Sequence, residues 1–220
     1  MVKHHPNNDL LMSYGAGALG ESWSLGISTH LALCPTCRVG VGEIEELGGV
    51  LLEDCEPTLM SDQSFGATVT KLDVEAIVED DIFKAPGYYL IPQPLRDYVD
   101  RDLESIPWKS IGGGVSHFTV VTGDEGKAHL LKIPPGKPVP EHGHNGREIT
   151  LVLMGSFEDE LGSYSRGDMQ DVDEEIVHRP VAGGLEDCIC FAVTDSPLEF
   201  RKLIPRLAQP FIRKFLDVSL

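Results

Sequence analysis

The histidine-containing segment between Gly136 and Gly155 constrains the fold of this 220-residue chain more than any other feature. It follows the spacing G-x5-H-x-H-x3-E-x6-G, in which His142, His144 and Glu148 are the fixed polar residues. Residues two apart on an extended segment project from the same face, so the two imidazoles point together. Glu148 begins the next apolar run after a glycine-containing turn. The spacing therefore predicts that all three side chains face the interior of a β-structure and bind a metal there.

Short apolar runs separated by turn residues fill the second half of the chain. They are four to six residues long, which is the usual length of a strand. They predict an all-β barrel or sandwich. The runs span 118–121, 129–133, 149–154, 188–193 and 198–203.

The spacing of the histidine segment resembles the first motif of the cupin family, which implies a double-stranded β-helix, or jelly-roll, barrel. Gly167 and Asp168, followed by His178 and Pro180, resemble a degenerate second motif and supply a later histidine. Three imidazoles and one carboxylate suit Zn, Fe, Mn or Ni. The expected cupin-site cofactor is therefore Zn²⁺ or another divalent transition metal, with the ligands His142, His144, Glu148 and His178.

The first eighty residues predict an all-α region, with apolar residues at helical spacing. Asn7, Asn8 and Asp9 offer cap side chains to a short first helix, and further helices are expected at 21–33, 35–52 and 63–78. The stretch that follows is rich in acidic residues and proline and has no sustained period. The expected organisation is a four-helix domain at 1–80, a linker at 81–107 and an all-β domain at 108–220.

A second metal pattern, H-x3-C-x2-C, is formed by His30, Cys34 and Cys37 at the junction of the second and third predicted helices. Residues four apart on a helix share a face, and Cys37 reaches back from the first turn of the next helix. Three corners of a tetrahedral site are thus supplied. Nitrogen and sulfur ligands favour Zn²⁺ in a structural site. The candidates for the fourth ligand are His4, His5 and the more distant Cys55.

This pattern resembles the zinc-binding anti-sigma domain, in which an early histidine precedes H-x3-C-x2-C across two helices. The run from Asp9 to Tyr14 aligns His5 with that early histidine. Together with the cupin motif, the chain resembles the ChrR-type anti-sigma factors from His5 to about Phe211. The resemblance implies a 1:1 complex with an ECF-type sigma factor, inhibition by the zinc domain, and a cupin needed for release under singlet oxygen or organic peroxide.

The charge of the chain limits what it binds. Its formal net charge is −17, and residues 1–85 hold 4 Lys and Arg against 14 Asp and Glu, a net charge of −10. Such a surface argues against binding nucleic acid or an anionic membrane and favours a basic protein partner. No run approaches the roughly 20 apolar residues of a membrane span. With five cysteines suited to a reducing compartment, the expected location is the cytoplasm.

An alternative function is a metal-dependent cupin enzyme, a dioxygenase or isomerase, with the helical domain as an accessory module. Under this alternative, the residues expected near the mouth of the barrel are Arg147, Glu158 and Tyr164. The sequence offers no separate acid, base or substrate-binding cluster. We therefore interpret the chain as a regulator and not an enzyme.

Cys188 and Cys190 flank one residue of a predicted strand, so both thiols face the same side. They are candidate oxidant targets. The alternative is that both are small buried hydrophobic residues. Cysteines two apart on one strand do not easily form an unstrained disulfide.

Overall fold

The computed structural model describes residues 1–72, 90–99, 103–123, 126–195 and 199–200. Within these ranges the helices are α1 (Asn8–Gly15), α2 (Glu21–Leu33), α3 (Pro35–Glu53), α4 (Gln63–Leu72) and α5 (Gln93–Val99). The strands are β1 (Lys109–Gly112), β2 (Val115–Gly123), β3 (Gly126–Ile133), β4 (His142–Gly143), β5 (Glu148–Met154), β6 (Ser156–Asp159), β7 (Gly162–Ser165), β8 (Met169–Val172), β9 (Val177–His178), β10 (Val181–Ala182), β11 (Cys188–Thr194) and β12 (Glu199–Phe200). We call α1–α4 and the segment before them the helical region, and β1–β12 the β-sheet region.

The helix boundaries follow from local sequence. Cys34 is extended, as the residue before a proline usually is, and therefore ends α2. Pro35 then occupies the first position of α3, where its missing N–H costs nothing. Asn7 is the N-cap of α1, but its side chain makes no cap hydrogen bond, contrary to the capping role that the sequence predicts. Residues 73–78 of the predicted fourth helix lie outside the described residues.

The strands form one six-stranded and two three-stranded sheets. The large sheet has the order β1-β2-β3-β11-β5-β8, and the small ones are β10-β6-β7 and β12-β4-β9. The pairings within all three sheets are antiparallel. Four of the five predicted strands are thus present as β2, β3, β5 and β11. Of the fifth, β12 covers two residues, and 201–203 lie outside the described residues.

The two faces of the large sheet pack on different partners. Side chains alternate along each strand, so β11 divides its residues between the faces. Phe191 and Val193 belong to one apolar core with α2 and α5, whereas Cys188 and Cys190 belong to the other with Phe157 of β6. The sheet therefore carries a helix-covered face and an inner face enclosed by the small sheets.

Helix α2 packs against other helices and against the large sheet. Its buried residues lie around most of its circumference, as expected of a helix covered on several sides. It contacts α1, α3 and α5 as well as β2, β3, β5 and β11. Helix α5 lies inside the segment predicted as a linker, and its Leu95 and Val99 are buried in the same core. No helix within the described ranges is both long and apolar enough to cross a membrane.

Gly26 lets α2 approach the sheet closely. A Cβ atom at this position would lie 2.7 Å from Cδ1 of Ile149 and 3.2 Å from Cγ2 of Val193. Both side chains are fully buried, so neither has free space to move into. We expect Gly26→Leu to lower the free energy of unfolding by about 1–3 kcal/mol, measured by denaturant titration.

The matched control is Gly48→Leu on α3, where a Cβ would meet no atom within 4 Å. This variant should be neutral or stabilise by up to about 1 kcal/mol, because leucine has the higher helix propensity. Equal destabilisation by both variants would contradict the close packing of α2 on the sheet.

Candidate metal centres

The first donor cluster joins the N-terminal segment to the junction of α2 and α3. Nδ1 of His5 lies 3.4 Å from Sγ of Cys34 and 3.3 Å from Sγ of Cys37, and Nε2 of His30 lies 3.4 Å from Sγ of Cys37. The donor atoms all lie within 4.8 Å of one another. We call this cluster the helical site.

The turn between α2 and α3 sets the positions of the two thiols. Sγ of Cys34 accepts a hydrogen bond from the backbone N–H of Cys37 at 3.5 Å, so Cys34 also serves as the N-cap of α3. Of the other candidates for the fourth ligand, His4 packs against Tyr164 with ring centroids 4.5 Å apart and the rings tilted. Cys55 is exposed beyond the end of α3 and lies outside the cluster.

Burial favours the neutral forms of His30 and Cys37 at the helical site. Burial, assisted by His5, lowers the pKa of His30 to about 4, against the opposing effect of the Gly167 backbone. Burial and the neighbouring Cys34 raise the pKa of Cys37 to about 12. A bound cation would lower the pKa of Cys37, because it stabilises the thiolate. It would bind the imidazole of His30 in its neutral form.

The second cluster lies within the β-sheet region. Nε2 of His178 is 3.2 Å from Nε2 of His144 and 3.2 Å from Nε2 of His142. Oε2 of Glu148 lies 3.8 Å from Nδ1 of His144. These side chains come from β4, β5, β9 and the turn after β4, and all are buried. We call this cluster the β site.

Hydrogen bonds on the far side of the rings fix which nitrogen faces the β site. Nδ1 of His142 donates to the carbonyl of Pro140 at 2.8 Å, and Nδ1 of His178 donates to Oδ2 of Asp159 at 2.8 Å. These hydrogen bonds turn both Nε2 atoms toward the cluster, where they can bind an ion. Oγ1 of Thr150 donates to Glu148 at 3.1 Å, which orients the carboxylate.

Burial governs protonation at the β site. It lowers the pKa of His142 and of His144 to about 4 each, so both rings are neutral near pH 7. It also raises the pKa of Glu148, against the opposing influence of the neighbouring histidines. For Asp159, burial alone would raise the pKa, but hydrogen bonds from His178 and Gln170 outweigh it and lower the pKa.

Both clusters fit a transition metal. With metal–nitrogen distances of about 2.1 Å, neighbouring nitrogens around one ion lie roughly 3.0–3.4 Å apart, and a tetrahedral zinc separates nitrogen from sulfur by roughly 3.5 Å. The observed separations of 3.2 Å at the β site and 3.3–3.4 Å at the helical site agree with these values. The donor sets identify neither metal.

The remaining sequence candidates lie around these clusters. Cys188 and Cys190 are buried on β11 with their sulfur atoms 3.5 Å apart, and this contact, with burial, raises the pKa of Cys190 far above that of a free thiol. Arg147 pairs with Asp171 of β8 and with Asp9 of α1 in the helical region. Glu158 is exposed, and Tyr164 is buried against Phe157.

The sequence pattern does not identify the residues that form hydrogen bonds around the ligands of the β site. Asp159 accepts from both His178 and Gln170, the latter at 2.7 Å. It ends β6, 19 residues before His178 in sequence, and only the pairing of the strands brings the two together. An acidic residue at a turn after a strand is too common to be singled out in advance.

Asp159 should matter for metal affinity at the β site. We expect Asp159→Asn to weaken metal binding there about 10–100-fold, because His178 loses the carboxylate that fixes the orientation of its ring. Competition with a chromophoric chelator measures the affinity. Asp187→Asn is the matched control, since Asp187 contacts Lys132 at a half-exposed position. Equal affinities of the two variants would contradict the role of Asp159.

The fold and the two clusters define a class of protein that combines a helical region bearing a His₂Cys₂ donor set with a β-sheet region bearing a His₃Glu set. A family model described as the ChrR cupin-like domain matches residues 98–197. The chain is 43% identical over 212 residues to the anti-sigma-E factor ChrR of Cereibacter sphaeroides, covering 96% of this chain and 99% of that protein. This chain belongs to the ChrR family of anti-sigma factors.

A solved structure agrees with this assignment. The crystal structure of Rhodobacter sphaeroides SigE in complex with the anti-sigma ChrR matches with a TM-score of 0.78 and 42% identity, covering 89% of this chain and 100% of that one. The resemblance expected from the two sequence motifs is thereby confirmed. The chain groups with anti-sigma factors and not with cupin enzymes.

Proposed function

We propose that this chain is an anti-sigma factor whose helical region binds and inhibits an ECF-type sigma factor. The observation that carries this proposal is the exposed apolar surface of α3 and α4. Although α3 has 19 residues, only Cys37 and Val41 are buried. The α3–α4 apolar surface consists of residues that are 39–79% exposed, namely Val39, Leu47, Val50, Leu51, Leu52, Phe65 and Val69.

Such a surface is typical of a protein-binding site. Isolated exposed apolar residues are normal, but several at helical spacing on one helix, such as Leu47, Val50 and Leu51 of α3, indicate a partner. The identity of the partner is supported by the relative that was crystallised in complex with SigE. An amphipathic helix that places its apolar face in a groove of the partner is a common mode of such recognition.

Charge supports the same partner. Helix α3 carries four glutamates and one arginine. A protein that binds DNA presents a basic surface. An acidic inhibitor is attracted to this surface and can cover it. The acidic side chains would accelerate encounter, and the α3–α4 apolar surface would supply most of the affinity.

The two metal sites have separate roles in this proposal. Zn²⁺ bound by His5, His30, Cys34 and Cys37 would hold together the N-terminal segment, α2 and α3 of a four-helix domain at 1–80. A Zn²⁺, Fe, Mn or Ni ion bound by His142, His144, Glu148 and His178 would lie in a cupin barrel at 108–220, with a linker at 81–107. The donor chemistry of each cluster supports this assignment.

The β-sheet region would release the sigma factor under oxidative stress of the singlet oxygen or organic peroxide type. Its candidate oxidant-responsive groups are the β site and the thiols of Cys188 and Cys190. Both thiols are buried on the inner face of the large sheet, so an oxidant would have to enter this interior to reach them.

The test is inhibition of transcription with purified components. The ECF sigma factor of the same cell is combined with core polymerase and a promoter that it recognises, and the metal-loaded chain is titrated in. We expect complete inhibition at one chain per sigma factor, in keeping with a cytoplasmic 1:1 complex. Full transcription at an excess of the chain would overturn the proposal.

A further inference from the structure

The N-terminal segment of the helical region lies against β8 of the β-sheet region. Met169 N donates to the carbonyl of His4 at 3.1 Å. The carboxylate of Asp168 accepts from Lys3 N at 2.6 Å and from His4 N at 3.0 Å. Asp168 is fully buried. The backbone immediately before His5, a donor of the helical site, is thus held by the other region.

The turn that contains Asp168 also reaches the opposite side of the helical site. We call residues 165–168 the β7–β8 turn. A Cβ atom on Gly167 would lie 2.8 Å from Val2 and 3.7 Å from Leu33. Nδ1 of His30 is buried, and burial lowers the pKa of this ring while the nearby Gly167 backbone opposes that effect. The β7–β8 turn therefore lies next to two donors of the helical site, His5 and His30.

The other face of β8 supports the β site. Residues alternate along a strand, so Gln170 points away from the helical region while its neighbours Met169 and Asp171 face it. Nε2 of Gln170 donates to Oδ2 of Asp159 at 2.7 Å, and the same oxygen accepts from His178 Nδ1 at 2.8 Å. Strand β8 is therefore part of the immediate support of both clusters.

A second bridge runs through Arg147, the residue before the donor Glu148. Its guanidinium donates to both oxygens of Asp171, at 2.7 and 2.6 Å, and pairs with Asp9 of α1. Asp171 also accepts from Asn7 N at 3.0 Å. The bridge joins the start of α1 to the strand end that carries Glu148.

We propose that β8 and the β7–β8 turn position the ligands of the helical site, so that a change at the β site alters how firmly the helical site retains its metal. Discrete packed elements with shared hydrogen bonds can carry such coupling, and linkage makes it reciprocal. This proposal rests on the proposed function for its biological meaning, since it states how the β-sheet region acts on the part that binds sigma factor. Asp168 is accordingly a positioning residue.

The two sites can be followed separately in the full-length chain loaded with Co²⁺. Thiolate ligands are present only at the helical site, so sulfur-to-cobalt charge-transfer absorption reports on that site alone. Excess EDTA is added, and the decay of this band gives the rate of metal loss. The readout needs no sigma factor, so failure of this proposal is distinguishable from failure of the proposed function.

Two variants of Asp168 and a control outside the β7–β8 turn test the positioning role. We expect Asp168→Ala to accelerate loss of the charge-transfer band about 10–100-fold, the range typical of lost outer-shell partners. Asp168→Asn keeps one acceptor oxygen and should show a smaller acceleration. Asp187→Ala is the control, because Asp187 is a part-exposed aspartate that pairs with Lys132 and belongs to neither donor cluster. It should leave the rate within about twofold of the parent chain.

Coupling between the sites is tested with Glu148→Gln, which weakens the β site without changing side-chain volume. We expect the helical-site metal to leave at least about fivefold faster or slower than in the parent chain. An unchanged rate of metal loss in either Asp168→Ala or Glu148→Gln would overturn the proposal. If Asp168→Ala does not fold, Asp168→Asn decides, with amide hydrogen exchange at Lys3 and His4 as a second readout. Unaltered exchange and metal loss in that variant would equally overturn it.

Discussion

Replacing Cys34 and Cys37 together with serine is expected to weaken sigma-factor binding at least about a hundredfold and to lower the metal content from two ions per chain to one. Helix α3 buries only Cys37 and Val41, so little apolar packing holds it in place. Structural zinc contributes about 10–16 kcal/mol of apparent binding free energy to small domains of this kind. Without it, the α3–α4 apolar surface loses its fixed orientation. Calorimetric titration with the sigma factor and elemental analysis measure the two effects.

The matched control is Cys55→Ser, because Cys55 is exposed and lies outside the helical site. It should bind sigma factor and two metals like the parent chain. The β-sheet region should remain folded in the double variant, since its inner core contains neither Cys34 nor Cys37. Undiminished binding by the double variant would show that the helical site does not maintain the binding surface.

The elements that follow from local sequence could be predicted well. Helix α2 has the predicted bounds, because Pro35 fixes its end and the apolar spacing fixes its length. The donors of both clusters stand at motif spacings, and the structure brings the same residues together. The choice of His5 over His4 needed either family resemblance or the observation that His4 packs against Tyr164.

Features that depend on distant contacts could not be predicted. The hydrogen bonds from Lys3 and His4 to Asp168 join residues more than 160 positions apart. No periodicity or motif encodes such a pair, and the sequence pattern places Asp168 only in the degenerate second cupin motif. Helix α5 was missed for a different reason: its seven residues are too few for a helical period to stand out beside Pro92 and Pro94.

Replacing Leu47 and Leu51 together with glutamate is expected to weaken sigma-factor binding about a hundredfold while leaving the fold intact. The two side chains are 60% and 61% exposed and stand one turn apart on α3. Exposed substitutions of this kind usually change stability by no more than about 0.5 kcal/mol, and glutamate is a good helix former. A few anchor residues commonly supply most of the affinity of an interface.

The sign of the charge change makes this variant informative. Two further carboxylates would speed encounter with a basic partner, so a loss of affinity has to come from lost apolar contact and appear as faster dissociation. The control is Leu185→Glu at a fully exposed position of the β-sheet region, which replaces the same kind of side chain and adds one of the two charges. Surface plasmon resonance should show a normal or faster association rate for the α3 variant together with a much faster dissociation rate. If Leu185→Glu weakened binding equally, or if dissociation of the α3 variant were unchanged, α3 would not be the contact surface.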